Sequence, residues 1–270
     1  MPVFEHDSIR FHYQEQGQGH PFLFLHGLGG DADQPLQLFP GHSQCRVLSM
    51  DCRCHGRTEP VSPEQKLNFA AFAADAWALL DHLGIKKPIL GGISMGAGIA
   101  LAMAVQYPER TKGLVLVRPA FLYQAFPEHL QIFAYIGQLI WAYGAKEGKE
   151  IFRDFQGFKQ IRAEYPATAE SLLGQFDQPR AEAFVERLRR IPSQVPIEGK
   201  HSLQVLDNHS IPALILGNQQ DPIHPFAYAE QLQQDVPGAL LHEIPSKSVD
   251  PQGHQVRSAE FIGGFLQSLH

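Results

Sequence analysis

The pentapeptide Gly92-Ile93-Ser94-Met95-Gly96 constrains this chain more than any other segment. The apolar run Lys87 to Gly91 precedes it, and the small-residue run Ala97 to Gln106 follows it. A serine forced onto a tight strand-to-helix turn projects its hydroxyl off the end of a sheet. Glycine on either side lets the two backbones approach without Cβ clashes. The N–H groups that follow lie at a helix N-terminus, where they can donate to an oxyanion. The expected local structure is buried strand, sharp turn and helix, with Ser94 as the candidate nucleophile.

The rest of the first half alternates short apolar runs with helical ones, which favours an α/β sheet over a sandwich or a bundle. Val3 to His6 and Ile9 to Gln14 read as an opening hairpin, and Phe22 to Leu25 and Arg46 to Met50 as strands. Phe69, Phe72, Ala73, Ala76, Leu80 and Leu83 recur at helical spacing, with Asp75 and Asp81 off that stripe. Gly113 to Val117 is apolar throughout, as in a strand covered by helices on both faces. From about Phe121 to Asn208 the alternation stops and the pattern becomes helical and aromatic. The expected organisation is a core of residues 1–120 and 210–270 interrupted by a helical cap, 121–209. Strand and helix signals resume with Ala213 to Leu216, Ala227 to Gln234, Leu240 to Ile244 and a final helix burying Phe261, Ile262, Phe265, Leu266 and Leu269.

Charge and composition remove several function classes. A net charge of −6, with no basic run longer than Arg189-Arg190, leaves no footprint for nucleic acid. No stretch approaches the roughly eighteen apolar residues of a membrane span, and the first residues do not read as a signal peptide. Three cysteines, two of them at Cys52 and Cys54, do not form a disulfide framework, so a reducing cytoplasm is the expected compartment. The Cys-x-Cys spacing does not match the common zinc patterns. The expectation is a small-molecule substrate and neither metal nor diffusible cofactor; the oligomeric state is not legible.

Serine hydrolysis needs a base, an acid that orients it, and donors for the oxyanion. Asp221 stands in Leu216-Gly217-Asn218-Gln219-Gln220-Asp221-Pro222-Ile223, leaving a buried strand, and His254 follows the next strand. Asp250 is a rival acid, but it shares a loop with His254. Leu25-His26-Gly27-Leu28-Gly29-Gly30 leaves the third strand with glycines that let backbone fold over a substrate. On these residues the chain resembles the capped α/β-hydrolases, a family of esterases, lactonases and carbon–carbon bond hydrolases. Serine, acid and histidine occur in that family's chain order. Asp51-Cys52-Arg53-Cys54-His55-Gly56-Arg57-Thr58 is similar to the family's D-x-R-G-H-G-x-S loop, with Cys54 in place of glycine and Thr58 in place of serine.

The resemblance implies a mostly parallel sheet of about eight strands flanked by helices, with Ser94 attacking a carbonyl, His254 taking its proton and Asp221 fixing the imidazole. It also implies an oxyanion hole from the backbone N–H groups of Leu28 and Met95. His26 and His55 read as supports of their loops. Arg118, ending the sixth strand, is a candidate clamp for a substrate carboxylate. Phe121 is a candidate pocket residue, and the aromatic segment favours an apolar or ring-bearing acyl group. The expected reaction is cleavage of a small carboxylic ester or lactone. The alternatives are carbon–carbon cleavage of a vinylogous diketone and, in a different class, a non-catalytic small-molecule receptor.

Overall fold

Segments apolar at every position must be buried on both faces, and they form the centre of the sheet. The computed structural model describes residues 2–41 and 44–269. The chain opens with β1 (Val3–His6) and β2 (Ile9–Gln16), then β3 (His20–Leu25), α1 (Asp33–Leu38) and β4 (Cys45–Met50). α2 (Phe69–His82), β5 (Ile89–Ile93), α3 (Met95–Gln106) and β6 (Gly113–Val117) continue the alternation. Five helices follow with no strand between them: α4 (Gln131–Asp154), α5 (Gln156–Glu164), α6 (Pro166–Asp177), α7 (Glu186–Arg190) and α8 (Gln204–Asn208). β7 (Ala213–Gly217), α9 (Phe226–Asp235), β8 (Leu240–Glu243) and α10 (Pro251–Ser268) complete the chain.

The eight strands form one sheet in the order β1-β2-β4-β3-β5-β6-β7-β8. β1 and β2 are antiparallel to their neighbours, and the pairings from β4 to β8 are parallel. The chain goes from β3 to β4 on one side and returns to β5 on the other. Connections that diverge in this way leave a crevice beyond the carboxyl ends of β3 and β5, the usual ligand position in open α/β sheets. In that register Leu25 pairs with Gly92, and Ile93 with Val117.

Alternate side chains along each strand point to opposite faces. Leu23, Leu25, Leu90, Leu114 and Leu116 pack with α2 and α3. Phe22, Phe24, Ile89, Val115 and Val117 pack with Ile262, Phe265 and Leu266 of α10. Asn68 caps α2 by accepting from the Ala71 N–H at 2.9 Å, and Asp250 caps α10 by accepting from the Gly253 N–H at 2.8 Å. The rival acid of the sequence is thus a helix cap. Among the described residues no helix is long and apolar enough to cross a membrane.

Asp75 lies off the apolar stripe of α2 yet is 1% exposed. Arg53 explains this: its Nε and Nη2 donate to the two carboxylate oxygens at 2.5 and 2.7 Å, and the His6 ring adds a contact at 2.8 Å. Burial raises the Asp75 pKa and the Arg53 contacts only partly offset it. Asp75→Ala would leave a buried guanidinium with only the half-exposed Asp7 as counter-ion. The expected loss is about 3–5 kcal/mol of unfolding free energy, read by urea denaturation. A loss below about 1 kcal/mol would mean that the pair adds nothing to stability.

Candidate active site

Ser94 joins β5 to α3 at φ 56° and ψ −109°. A non-glycine residue held there stores about 1–3 kcal/mol of strain, which the surrounding structure must offset. The Ser94 N–H donates to the Val117 carbonyl at 2.9 Å, tying the turn to the end of β6. The flanking glycines are required by close approach. A Cβ at Gly92 would lie 2.0 Å from the Gly96 carbonyl carbon, and one at Gly96 would lie 2.3 Å from the Leu25 oxygen.

The loop after β3 closes over this turn. Gln34 Oε1 accepts from the Gly27 N–H at 2.7 Å, and the Gly30 N–H donates to the Gly27 carbonyl at 2.9 Å. Among the described residues, neither the Leu28 N–H nor the Met95 N–H has a protein acceptor. His26 and His55 act as supports. The His26 Nδ1–H donates to the Gly27 carbonyl at 2.8 Å while Nε2 accepts from the Cys52 N–H at 3.0 Å, and the His55 ring bonds the Arg53 carbonyl at 2.8 Å. Asp51 accepts from the Ala32 and Arg57 N–H groups at 2.8 and 2.9 Å, which braces both loops. Cys54 adopts φ 55°, a left-handed conformation that glycine would adopt without strain. Its carbonyl accepts from Arg187 of α7 at 2.9 Å, so the strained turn is held from the helical segment.

A cavity of about 130 Å³ opens between these loops and helices α4 and α6. An engineered cavity of about 150 Å³ holds benzene, so this one suits a group of a few heavy atoms. Ser94, Leu28, Arg118 and Asp221 line it, as do Gln34, Thr168, Ser171, Ser246, Lys247 and Ser248. The wall is more polar than the aromatic segment 121–143 suggested. Phe133 is the aromatic of that segment at the cavity. Phe121, expected at the pocket, is instead buried in the core against Phe69, with ring centroids 5.0 Å apart. Its side chain fills the space beside α2, where the apolar stripe of that helix needs a partner. Trp141 and Tyr143 face solvent at 61% and 51% exposure.

The structure does not join Asp221 to His254. Asp221 Oδ2 accepts from the His224 ring Nδ1–H at 2.9 Å and from Arg118 Nη1 at 3.3 Å. Its Oδ1 accepts from the Ile223 and His224 N–H groups at 3.0 and 3.2 Å. Burial disfavours the Asp221 carboxylate, but His224, Arg118 and the Ile223 N–H outweigh it and hold the group well below the usual carboxylate range. The ring of His254, in the first turn of α10, bonds the Pro245 carbonyl through Nδ1 at 2.8 Å, and its Nε2 is buried without a partner. Burial, then the charge of Arg118, pushes His254 down to about 3. His254 is not part of the cavity wall. Arg118, at φ 48° just past β6, reaches Asp221, and its Nε is buried and unpaired.

Sequence reasoning passed over two ionisable residues of the cavity wall. His224 stands three residues after Asp221, a spacing that lets a ring turn back onto an aspartate in the same turn. Lys247 lies in the irregular loop after β8, where periodicity carries no signal; the Arg118 charge, then burial, lowers it to about 8.

With this geometry in view, the likeness to known proteins is specific. The model of the alpha/beta hydrolase fold matches residues 20–247. A 2-hydroxymuconate semialdehyde hydrolase of Pseudomonas sp. (strain CF600) is 26% identical over 273 aligned positions, covering 96% of this chain and 91% of that protein. The dihydrolipoyllysine-residue acetyltransferase component of the acetoin cleaving system of Pseudomonas putida is 30% identical over 220 positions, covering 79% of this chain. The chain spans 30% and 55% of the lengths of the first two curated relatives that it matches. The crystal structure of the enol-lactonase from Burkholderia xenovorans LB400 superposes with a TM-score of 0.75 at 20% identity, covering 98% of this chain and all of that one. The matched residues run from β3 to the loop after β8 and carry the serine turn, and the chain belongs to the α/β hydrolase fold family.

Proposed function

We propose that this enzyme hydrolyses a small carboxylic ester or lactone through an acyl-enzyme formed on Ser94. The observation that carries the reading is the strained Ser94 turn at the cavity wall, with Leu28 in the same wall and Met95 next in the chain, neither N–H bonded to a protein acceptor among the described residues. Ser94 Oγ adds to the carbonyl carbon and the oxygen gathers charge against the two N–H groups. The leaving oxygen departs with a proton, and water releases the acid. The enol-lactonase likeness agrees with this class of substrate. In this reading the helical stretch between β6 and β7 serves as the cap, because Thr168 and Ser171 of α6 form part of the cavity wall. The test is steady-state turnover of aryl esters of increasing acyl length and of simple lactones. Turnover should fall off once the acyl group outgrows about a phenyl ring, and an undiminished rate with long acyl chains would contradict a cavity of this size.

A specific observation favours a second reading, carbon–carbon cleavage of an acidic vinylogous diketone. Arg118 and Lys247 bring two cations to a cavity that holds one carboxylate, Asp221. Arg118 is committed to Asp221, whereas Lys247 has no ion-pair partner among the described residues. Lys247→Met should therefore raise KM for substrates with a free carboxylate about ten-fold or more and leave neutral esters unchanged. Lys247 holds an anion only while protonated, so KM for acidic substrates should also rise as pH passes about 8. Equal KM effects on acidic and neutral substrates would remove the support for this reading.

A further inference from the structure

The fold places two imidazoles around Asp221, and they differ in what a general base requires. Asp221 is ionised and can only accept, so the proton in its contact with the ring of His224 sits on Nδ1. The Nε2 of His224 then carries the lone pair. Among the described residues that nitrogen has no hydrogen-bond partner and is not sealed off, and the residue lines the same cavity as Ser94. His254 has the opposite set of properties. Its Nδ1 is committed to a peptide carbonyl, its Nε2 is sealed in the interior, and no carboxylate touches it to stabilise an imidazolium.

We infer that His224, oriented by Asp221, is the residue that takes the Ser94 proton, in place of the histidine that follows β8. The inference rests on the serine-hydrolase reading above. The turn that carries His224 is built for rigidity: Pro222 and Pro225 bracket it, and Asp221 Oδ1 accepts the N–H groups of both Ile223 and His224. One carboxylate therefore fixes the backbone and the ring together. No hydrogen bond joins Ser94 Oγ to either imidazole among the described residues, and such contacts commonly close only when substrate binds.

In the first step the Ser94 O–H proton passes to His224 Nε2 as the Oγ–carbon bond forms and the carbonyl electron pair moves to oxygen. Collapse of that adduct breaks the bond to the leaving oxygen, which takes the proton from Nε2. Water then repeats the sequence on the acyl-enzyme, and His224 ends neutral. The imidazolium formed in each step lies against Asp221 and is opposed by the charges of Arg118 and Lys247, with His129 also near. Burial already keeps His224 below the usual histidine range, so the base form prevails at neutral pH.

The experiment compares His224→Gln, His254→Gln and Ser94→Ala in the full chain on an aryl ester that the wild type turns over. His224→Gln should lose about a million-fold in kcat with KM changed by less than a few-fold, and His254→Gln should stay within about ten-fold of wild type. A large loss in His254→Gln with little in His224→Gln, or equal large losses in both, overturns the inference. Turnover that survives Ser94→Ala overturns the serine-hydrolase reading instead, so the two failures are distinguishable. Should either glutamine variant fail to fold, the wild type phosphonylated at Ser94 decides by crystallography. His224 Nε2 within hydrogen-bond reach of the serine oxygen supports the assignment, and His254 Nε2 there overturns it.

Discussion

Ser94→Ala is expected to lose about a million-fold in kcat, since in the proposed mechanism removal of the nucleophile leaves only what the oxyanion donors and substrate binding supply. Alanine has no oxygen to acylate, so on the proposed mechanism the residual rate comes from water attacking a carbonyl held by the Leu28 and Met95 N–H groups. The substitution should leave the fold intact, because the Ser94 hydroxyl makes no hydrogen bond among the described residues and the turn is fixed by backbone through the Val117 carbonyl. The variant should therefore bind a slow ester with the wild-type dissociation constant while turning it over at near the background rate. Residual turnover within a hundred-fold of wild type would show that the reaction does not run through Ser94.

The second large effect is expected from Asp221→Asn, with kcat reduced by about 10,000-fold. An amide can present its N–H₂ to the imidazole, which then turns its protonated nitrogen toward the serine and can no longer accept a proton. The same change frees Arg118, whose Nη1 otherwise donates to Asp221. The carboxylate also matters to stability. Its folded pKa lies below the unfolded value, so its contribution is fully present above about pH 4 and is lost as pH falls towards the folded value. Asp221→Asn should therefore flatten the acid limb of the stability profile measured by urea titration. An unchanged acid limb would mean that the contacts of Asp221 carry no net stabilisation.

Most of the sheet was legible because it is written in unbroken apolar runs. Gly113–Val117 and Ala213–Leu216 leave no polar position for a solvent face, so only a covered strand satisfies them, and β6 and β7 lie there. The serine turn was legible for a related reason: glycine at both Gly92 and Gly96 is required by contacts of 2.0 and 2.3 Å. Burial of Asp75 was not, since helical periodicity sets it off the apolar face and only the arrival of Arg53 from the loop after β4 turns that position inward. Chain order located Asp221 and His254, but not the choice between two rings for one carboxylate. That choice is made by the turn at Pro222 and by the carbonyl of Pro245, neither of which leaves a periodic signal. Phe121 failed as a pocket residue because an aromatic beside a strand end serves a core equally well, and Phe69 supplied the partner.

The measurement that tests the central claim most directly is intact and peptide mass spectrometry of the enzyme quenched during turnover of an activated aryl ester. An acyl-enzyme mechanism predicts one acyl group per chain, carried on the peptide that contains Ser94, formed in a burst of phenolate release and absent from Ser94→Ala. Multiple turnovers with no acylated peptide, or with the acyl group on another residue, would contradict it.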